Sequence, residues 1–369
     1  MSRAFAILAA ARPIDMPHGS PRAESDGVKS PASRYTLGPM GNLLVVSAGR
    51  GEGKTSVVAT LARRAAAAGR SAAAIKPFGA QDELGPRSDT LIFERLVGTA
   101  AGSRPAALPD GDLSEGELKA AAEAVASLES DSVAVEASSD LSPQDGARLA
   151  EALDAEVLVV VRHRHGMSAT DVAERAAPYG DRLAGVLFNC RGTYMGTEAA
   201  ALTEEVEAAG TRVLGVIPED RRLLGVAVRE IAAHLDGRFL LGEDEGADEL
   251  VEHFLVGGWM MDEGTRYFET RTDKAVVIRG DRPDLQMSAL ATPTKALVLT
   301  NGIEPIEYVL YEAQEEETCL VVVDQDTIST MEALGTIVES ARFDHPDKLA
   351  RMSDLFDSHA DGAALNALT

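Results

Sequence analysis

The chain has 369 residues, 45% of them hydrophobic, and carries 35 basic and 59 acidic side chains, a formal net charge of −24. This length suffices for two domains of ordinary size, and the apolar content is too high for a mostly disordered chain. An acidic surface repels phosphate backbones and anionic lipids, so the charge excludes a general nucleic-acid binder and argues against docking on membranes.

The composition also predicts the surroundings of the protein. Seven lysines stand against 28 arginines, and alanine is abundant. This combination suggests a high-salt, halophile-like cytoplasm in which ions screen self-repulsion; a GC-rich genome would favour Arg and Ala too, without requiring such a charge. Cys190 and Cys319 each lie beside an apolar run and are predicted to be buried thiols in a reducing compartment. No apolar run approaches the roughly 18 residues of a membrane helix, so the predicted location is the cytoplasm.

Residues 1–39 differ from the rest of the chain. They hold five basic and three acidic residues, and five prolines interrupt any regular pattern. We interpret them as a disordered extension rather than a processed targeting segment.

Residues 40–240 alternate short apolar runs with helical stretches, which predicts a parallel sheet covered by helices on both faces. The predicted strands are Leu43–Ser47, Ala72–Ile75, Ser132–Glu136, Val157–Val161, Ala184–Asn189 and Val213–Ile217, and the clearest helices are Thr55–Ala68, Leu113–Glu129 and Glu198–Ala209.

The strongest chemical signal is a glycine-rich loop between the first strand and the first helix, Ser47-Ala48-Gly49-Arg50-Gly51-Glu52-Gly53-Lys54-Thr55. Its glycines allow successive backbone N–H groups to point at a phosphate. Lys54 is expected to neutralise phosphate oxygens, and the Thr55 hydroxyl to coordinate Mg²⁺. Ala48 departs from the strict pattern, and the alternative is a glycine-rich turn with an incidental Gly-Lys-Thr. The predicted nucleotide-binding residues are Gly49, Gly51, Gly53, Lys54, Thr55 and Ser56.

Ser47–Thr55 resembles the phosphate loop of the dethiobiotin-synthetase-like nucleotide-binding fold. Later features follow in the order of that family: Lys76-Pro77-Phe78-Gly79 after the second strand, then Asp89, Glu136 and Asn189. The resemblance implies an α/β fold of the P-loop NTPase type, a doubly wound, mostly parallel sheet that binds ATP and Mg²⁺. It implies catalytic roles for Lys54 and Lys76, a metal site of Thr55, Asp89 and Glu136, and a purine contact for Asn189.

Each of these later residues also has a structural interpretation: Lys76 as a strand cap, Asp89 as a helix N-cap and Glu136 as a solvated loop acid. Their shared position at carboxyl ends of strands, where open α/β sheets bind ligands, favours the functional interpretation. One stretch departs from the family. Ala137-Ser138-Ser139-Asp140 replaces a glycine-rich loop that holds the organic substrate in the synthetases, which places dethiobiotin synthesis in doubt.

A second α/β domain is predicted over residues 246–345, followed by a C-terminal helix and a fraying tail over 346–369. Its predicted elements are helix Asp248–Val256, strand Lys274–Arg279, helix Pro283–Leu290, strand Ala296–Thr300, helix Pro305–Glu315, strand Cys319–Val323 and helix Ile328–Val338.

Gly280-Asp281-Arg282-Pro283, with Phe254–Gly258 and Leu297–Gly302, resembles the DRTGG domain. That domain accompanies the synthetase-like fold in the regulatory front half of long bacterial phosphotransacetylases and in shorter relatives. Asp281 and Arg282 precede a helix begun by proline and are candidates to bind a small anionic metabolite. The alternative is an internal Asp–Arg pair that holds the turn.

Three functions follow from these features. The first is a regulatory protein of the phosphotransacetylase N-terminal type that binds ATP and Mg²⁺, has no acetyltransferase activity of its own, and works with an acyl-phosphate or acetyl-CoA enzyme. The second is an ATP-dependent carboxylate or carbamate ligase, and the third is an assembly module with an inactive nucleotide site. Trp259, Met260 and Met261 suggest packing in a homodimer. His163 and His165 are assigned to a polar loop over the nucleotide pocket rather than to a metal site.

Overall fold

The computed structural model describes residues 41–79, 89–98, 105–258, 264–337 and 341–368. The predicted extension of residues 1–39 and the Trp259-Met260-Met261 segment lie outside these ranges. Within the described residues, no helix is long and apolar enough to cross a membrane.

The first half of the chain is built around a six-stranded parallel sheet in the order β2-β5-β1-β6-β7-β8. Its central strands are buried on both faces, which explains their continuous Val and Leu runs. All six predicted strands are present with bounds shifted by two residues or fewer, and the predicted α/β class is confirmed. The strands of this sheet are β1 Asn42–Val46, β2 Ala72–Ile75, β5 Ser132–Glu136, β6 Ala155–Arg162, β7 Leu183–Arg191 and β8 Val213–Pro218. Two short strands, β3 Phe78–Gly79 and β4 Ala106–Ala107, pair with each other in a separate sheet.

Helices connect these strands, and polar side chains determine where several of them begin. Ser114 and Glu117 form a capping box, which starts α3 later than the sequence pattern predicted. Ser142 caps the following helix, with Pro143 in its first turn. The helices are α1 Lys54–Ala67, α2 Asp89–Val97, α3 Glu115–Ala126, α4 Pro143–Ala152, α5 Ala169–Ala176 and α6 Gly196–Ala208.

A second sheet has the order β10-β15-β14-β13-β12, parallel except for β10, which pairs antiparallel with β15. Since β10 precedes residue 246, this sheet begins upstream of the predicted start of the second domain. The elements are β9 Val226–Ala227, α7 Val228–His234, β10 Arg238–Leu241, β11 Leu250–Val251, β12 His253–Gly257, α8 Gly264–Phe268, β13 Lys274–Arg279, α9 Pro283–Leu290, β14 Ala296–Thr300, α10 Glu307–Glu315, β15 Cys319–Val322 and α11 Thr327–Ile337.

The predicted helix Asp248–Val256 is wrong. This stretch forms β11, which pairs with β9, and β12, which pairs with β13. Its apolar residues fit a helical spacing, but Val and Phe favour a strand, and the edge of β13 supplies a ladder of backbone partners.

The chain returns to the first sheet after the second domain. Two helices, α12 Pro346–His359 and α13 Gly362–Leu368, follow the second sheet and pack against β8 and α1. Ala360 forms a backbone bridge with Gly215, where a Cβ would lie 2.8 Å from the Ala360 Cα. The predicted fraying tail is therefore a packed helix, and the second domain is inserted between β8 and α12.

Both cysteines are free thiols. Cys319 is buried against Gly242, and this burial raises the pKa of its thiol to about 11. Cys190 is half-buried rather than buried, although desolvation also raises the pKa of its thiol. The predicted burial therefore holds for Cys319 and only in part for Cys190.

Candidate functional site

The glycine-rich loop curls between β1 and α1, as its sequence predicts. Gly51 and Gly53 adopt φ values of 72° and 91°, a left-handed conformation that glycine tolerates best. A Cβ on Gly53 would also lie 2.1 Å from the Asn189 amide nitrogen. The Lys54 ammonium donates to Ser47 Oγ and Ser139 Oγ, both at 2.7 Å. These contacts hold the nearly buried lysine across the concave side of the loop.

Thr55, Lys76 and Glu136 meet at one carboxylate oxygen. Thr55 Oγ1 donates to Glu136 Oε1 over 3.2 Å, and Lys76 Nζ lies 3.3 Å from the same oxygen. They come together because β2, β5 and β1 are neighbours in a parallel sheet, whose carboxyl ends share one edge. Lys76 and Glu136 are 1% and 2% exposed, so the solvated-acid interpretation of Glu136 is wrong.

This arrangement fits a magnesium ion. Mg²⁺ takes oxygen ligands at about 2.0–2.1 Å in octahedral geometry, which places neighbouring ligands about 3 Å apart. The Thr55 hydroxyl and the Glu136 carboxylate are a donor pair of that spacing. Asp89 begins α2, but its side chain lies outside the described residues, so its metal role stays a prediction. Among the described side chains, no group of three or more His, Cys, Asp or Glu forms a metal cluster.

Asn189 lies near the end of β7, directly beneath the loop. Its amide nitrogen donates to the Glu52 carbonyl over 3.0 Å, and the side chain is 3% exposed. The structure thus gives Asn189 a contact that holds the phosphate loop, and its contact with a purine stays a prediction. Ser56, the last predicted nucleotide-binding residue, donates to the Gly53 carbonyl at 2.8 Å.

The stretch that departs from the synthetase pattern takes part in the site. Ser139 receives the Lys54 hydrogen bond, and Asp140 pairs with Arg50 at 2.7 Å. The hydrogen bond from Arg50 lowers the pKa of the Asp140 carboxyl. Neither Arg50 nor Ser139 had a predicted role, because no residue spacing connects two loops that are about 90 positions apart.

Glu52 also belongs to the site, although its sequence position predicted no role for it. It is 2% exposed, and its Oε1 lies 3.2 Å from Arg164 Nη1 and 3.5 Å from Arg175 Nη1. The Arg162 backbone N–H also donates to its other oxygen over 3.4 Å. These contacts anchor the back of the phosphate loop to the end of β6. The run of arginines around 162–164 was the available signal, although it did not identify its partner.

Of the two histidines predicted to lie in a polar loop, only His163 departs from that description. His163 is buried, with its ring edge-on to Phe188 at 6.2 Å, and neither ring nitrogen has a hydrogen-bond partner among the described residues. Desolvation lowers its pKa. His165 is exposed and lies 2.8 Å from Glu198.

The loop opens onto a cleft of about 660 Å³, within the range of small-molecule sites. One wall comes from the loop together with Lys76, Glu136 and Asn189. A second wall comes from residues 218–220, 223 and 224, where the chain leaves the first sheet, and from residues 341–343, where it returns. This cleft combines most of the predicted site residues with a wall that the sequence did not reveal.

Asp281 and Arg282 follow β13 in the second domain, far along the chain from the cleft residues. Asp281 pairs with Arg279, and Arg282 pairs with Asp284 at 2.7 Å. Both pairs are exposed, and the Arg282 bond lowers the pKa of the Asp284 carboxyl. The Asp–Arg pairing considered as the alternative therefore involves other partners than expected, and metabolite binding here stays a prediction.

The parallel sheet, the strand–loop–helix unit and the Lys54–Thr55 geometry define an α/β protein of the P-loop type. The model of the AAA domain family matches residues 41–226, half of the chain, and the protein belongs to this family. A DRTGG domain model matches residues 230–337, which include β10.

Several solved structures resemble parts of the chain. The CBS and DRTGG domains of the regulatory region of Clostridium perfringens pyrophosphatase, complexed with diadenosine tetraphosphate, are 12% identical over 42% of this chain and 74% of theirs, with a TM-score of 0.28. MinD from Aquifex aeolicus is 17% identical over 50% of this chain and 84% of the MinD chain, with a TM-score of 0.34. FtsY from Thermotoga maritima is 13% identical over 50% of this chain and 66% of the FtsY chain, with a TM-score of 0.31. Likenesses this distant carry no weight for function.

Proposed function

We propose that this protein binds ATP with Mg²⁺ in the P-loop cleft and acts as a regulatory protein of the phosphotransacetylase N-terminal type. The observation that carries the proposal is the convergence of Lys54, Thr55, Lys76 and Glu136 on one end of the cleft. The adjacent AAA and DRTGG matches support it, since the resemblance assigned the same pair of domains to that regulatory region.

The chain's own residues account for nucleotide binding. Backbone N–H groups of residues 49–55 and the start of α1 face the phosphates, and Lys54 neutralises their charge. Thr55 and Glu136 hold Mg²⁺, which supplies charge neutralisation of the phosphate oxygens when bound. Ser47 and Ser139 keep the Lys54 ammonium in place before the nucleotide arrives.

The proposal is tested by calorimetric titration of the purified protein with ATP and Mg²⁺. We expect saturable binding that weakens at least about tenfold in Lys54→Ala, because a charge-assisted phosphate contact contributes about 1.5–3 kcal/mol. Lys119→Ala is the matched control, since Lys119 is exposed on α3. Absence of binding by the wild-type protein, or equal affinity in Lys54→Ala, would contradict the proposal.

A second candidate is an ATP-dependent ligase that phosphorylates a carboxylate or carbamate. Lys76 favours it, since a second buried lysine at the cleft places additional charge where a phosphoryl group would transfer. The protein would be incubated with ATP and each member of a panel of diamines and carboxylates. Release of one ADP for each molecule of one such compound consumed would identify this activity. ATP binding without such turnover would leave the regulatory function.

A further inference from the structure

Two stretches of chain connect the first sheet with the inserted second domain, and both line the nucleotide cleft. The outgoing stretch starts at the end of β8 and contributes residues 218–220, 223 and 224. The returning segment, residues 341–345, contributes Ala341, Arg342 and Phe343 before α12 begins. The second wall of the cleft is therefore built from the connections to the second domain.

Five cations and four acidic side chains line the cleft, a formal surplus of one positive charge, although the protein as a whole carries −24. Each of these four acids lies within 4 Å of a cation. Three of the cations that pair with these acids lie outside the lining: Arg164 and Arg175 on Glu52, and Arg351 on Asp220. Asp140, which pairs with Arg50, also lies outside it. The cations that line the cleft are Arg50, Lys54, Lys76, Arg162 and Arg342.

Arg342 is the one of these five cations that lies in the returning segment after the second domain. A side chain of α12 holds its backbone in place. The buried Lys348 ammonium donates to the Arg342 carbonyl. Burial lowers the pKa of Lys348, while the carboxylates of Asp344 and Glu230 oppose that shift. Glu230 belongs to α7, at the start of the DRTGG match, so the Lys348 ammonium lies within the electrostatic influence of the inserted domain.

His345 adds a second link between the returning segment and its surroundings. Its Nε2 lies 3.0 Å from the Asp248 carbonyl, and its Nδ1 accepts from the Asp347 backbone N–H over 3.1 Å at the start of α12. A displacement of the second domain would therefore move the backbone that carries Arg342.

We propose that Arg342 binds the polyphosphate of the nucleotide, as an arginine that the returning segment supplies to the P-loop cleft. This inference rests on the proposed ATP binding. A guanidinium suits this task because its planar donors match phosphate oxygens in pairs. Lys348 is then a positioning residue, through which the second domain affects nucleotide affinity.

The test compares the affinities of Arg342→Ala, Arg342→Lys and the exposed control Arg266→Ala for ATP and for tripolyphosphate, both with Mg²⁺. We expect Arg342→Ala to weaken both ligands about tenfold, Arg342→Lys to weaken them less, and Arg266→Ala to match the wild type. Unchanged tripolyphosphate affinity in Arg342→Ala, while Lys54→Ala loses it, would overturn the inference and leave ATP binding intact. If the wild type binds neither ligand, the proposed function fails and this inference fails with it.

The positioning role of Lys348 has its own readout. We expect Lys348→Met to weaken ATP binding in the wild-type background and to have no further effect in Arg342→Ala, because its influence passes through Arg342. Thermal unfolding without nucleotide separates this effect from a loss of folding. Equal weakening of ATP binding by Lys348→Met in both backgrounds would show that Lys348 acts independently of Arg342 and would overturn its positioning role.

Discussion

At the scale of single residues, the site depends on polar groups that are buried together. Lys54, Lys76, Glu52 and Glu136 are each less than 5% exposed, and a buried charge requires partners to compensate for lost hydration. The phosphate-loop motif identified Lys54, and the family resemblance identified Lys76 and Glu136. Glu52 was not predicted, because the phosphate-loop pattern allows any residue at its position.

His163 leads to a prediction about pH. Desolvation, and to a lesser extent Arg191, lowers its pKa in the folded protein, while Glu198 acts in the opposite direction. The unfolded chain has the ordinary value of about 6.5 and therefore binds the extra proton first as the pH falls. The contribution of neutral His163 to stability is complete above that value and is lost as the pH falls below it. We expect His163→Phe to flatten the decline in the free energy of unfolding between about pH 7 and pH 5.

Urea unfolding at a series of pH values measures this decline. Lys119→Ala is a control that changes an exposed side chain and no histidine. A slope in His163→Phe as steep as that of the wild type would show that other groups cause the acid sensitivity.

At the scale of elements, strands with continuous apolar runs were predictable and edge elements were not. Val157–Val161 is apolar at every position, and a short run this rich in β-branched Val is typical of a strand buried on both faces. Leu250–Val256 mixes helical spacing with β-forming residues, and the available edge of β13 decided its structure. The start of α3 depended on Ser114 and Glu117, whose capping pattern the sequence does contain.

The C-terminal helix α13 leads to a second prediction. Leu365 is fully buried where α13 lies against the first domain, so Leu365→Ala removes packing that the surroundings cannot replace. We expect a loss of about 2–5 kcal/mol in the free energy of unfolding. The neighbouring Asn366→Ala keeps the carbonyl that accepts from Arg70 and alters an exposed side chain, so it should change stability by less than about 0.5 kcal/mol. Similar urea midpoints for the two variants would contradict the packing of this helix.

At the scale of the whole molecule, the charge of −24 predicts a response to salt. Many acidic side chains repel one another, and the screening length falls from about 10 Å at 0.1 M salt to about 3 Å at 1 M. We expect the free energy of unfolding to rise as KCl increases over this range, because the folded protein concentrates the charge.

Urea unfolding at each KCl concentration provides the measurement, and sucrose provides the comparison, since it stabilises proteins by exclusion from their surface without screening charge. If KCl leaves the free energy of unfolding unchanged, or raises it no more than sucrose does, relief of charge repulsion is not the cause.

The sequence by itself determined the parallel α/β fold, the phosphate loop and the candidate residues at strand ends, because these features depend on local patterns and on strand direction. Only the tertiary structure showed that α12 and α13 return to the first domain and that Arg342 lines the same cleft as the phosphate loop. An amphipathic helix reveals that one of its faces will be buried, but its sequence does not specify the surface that covers it. The wall formed by residues 218–220, 223, 224 and 341–343 joins segments more than a hundred residues apart, and such contacts arise only when the whole chain packs.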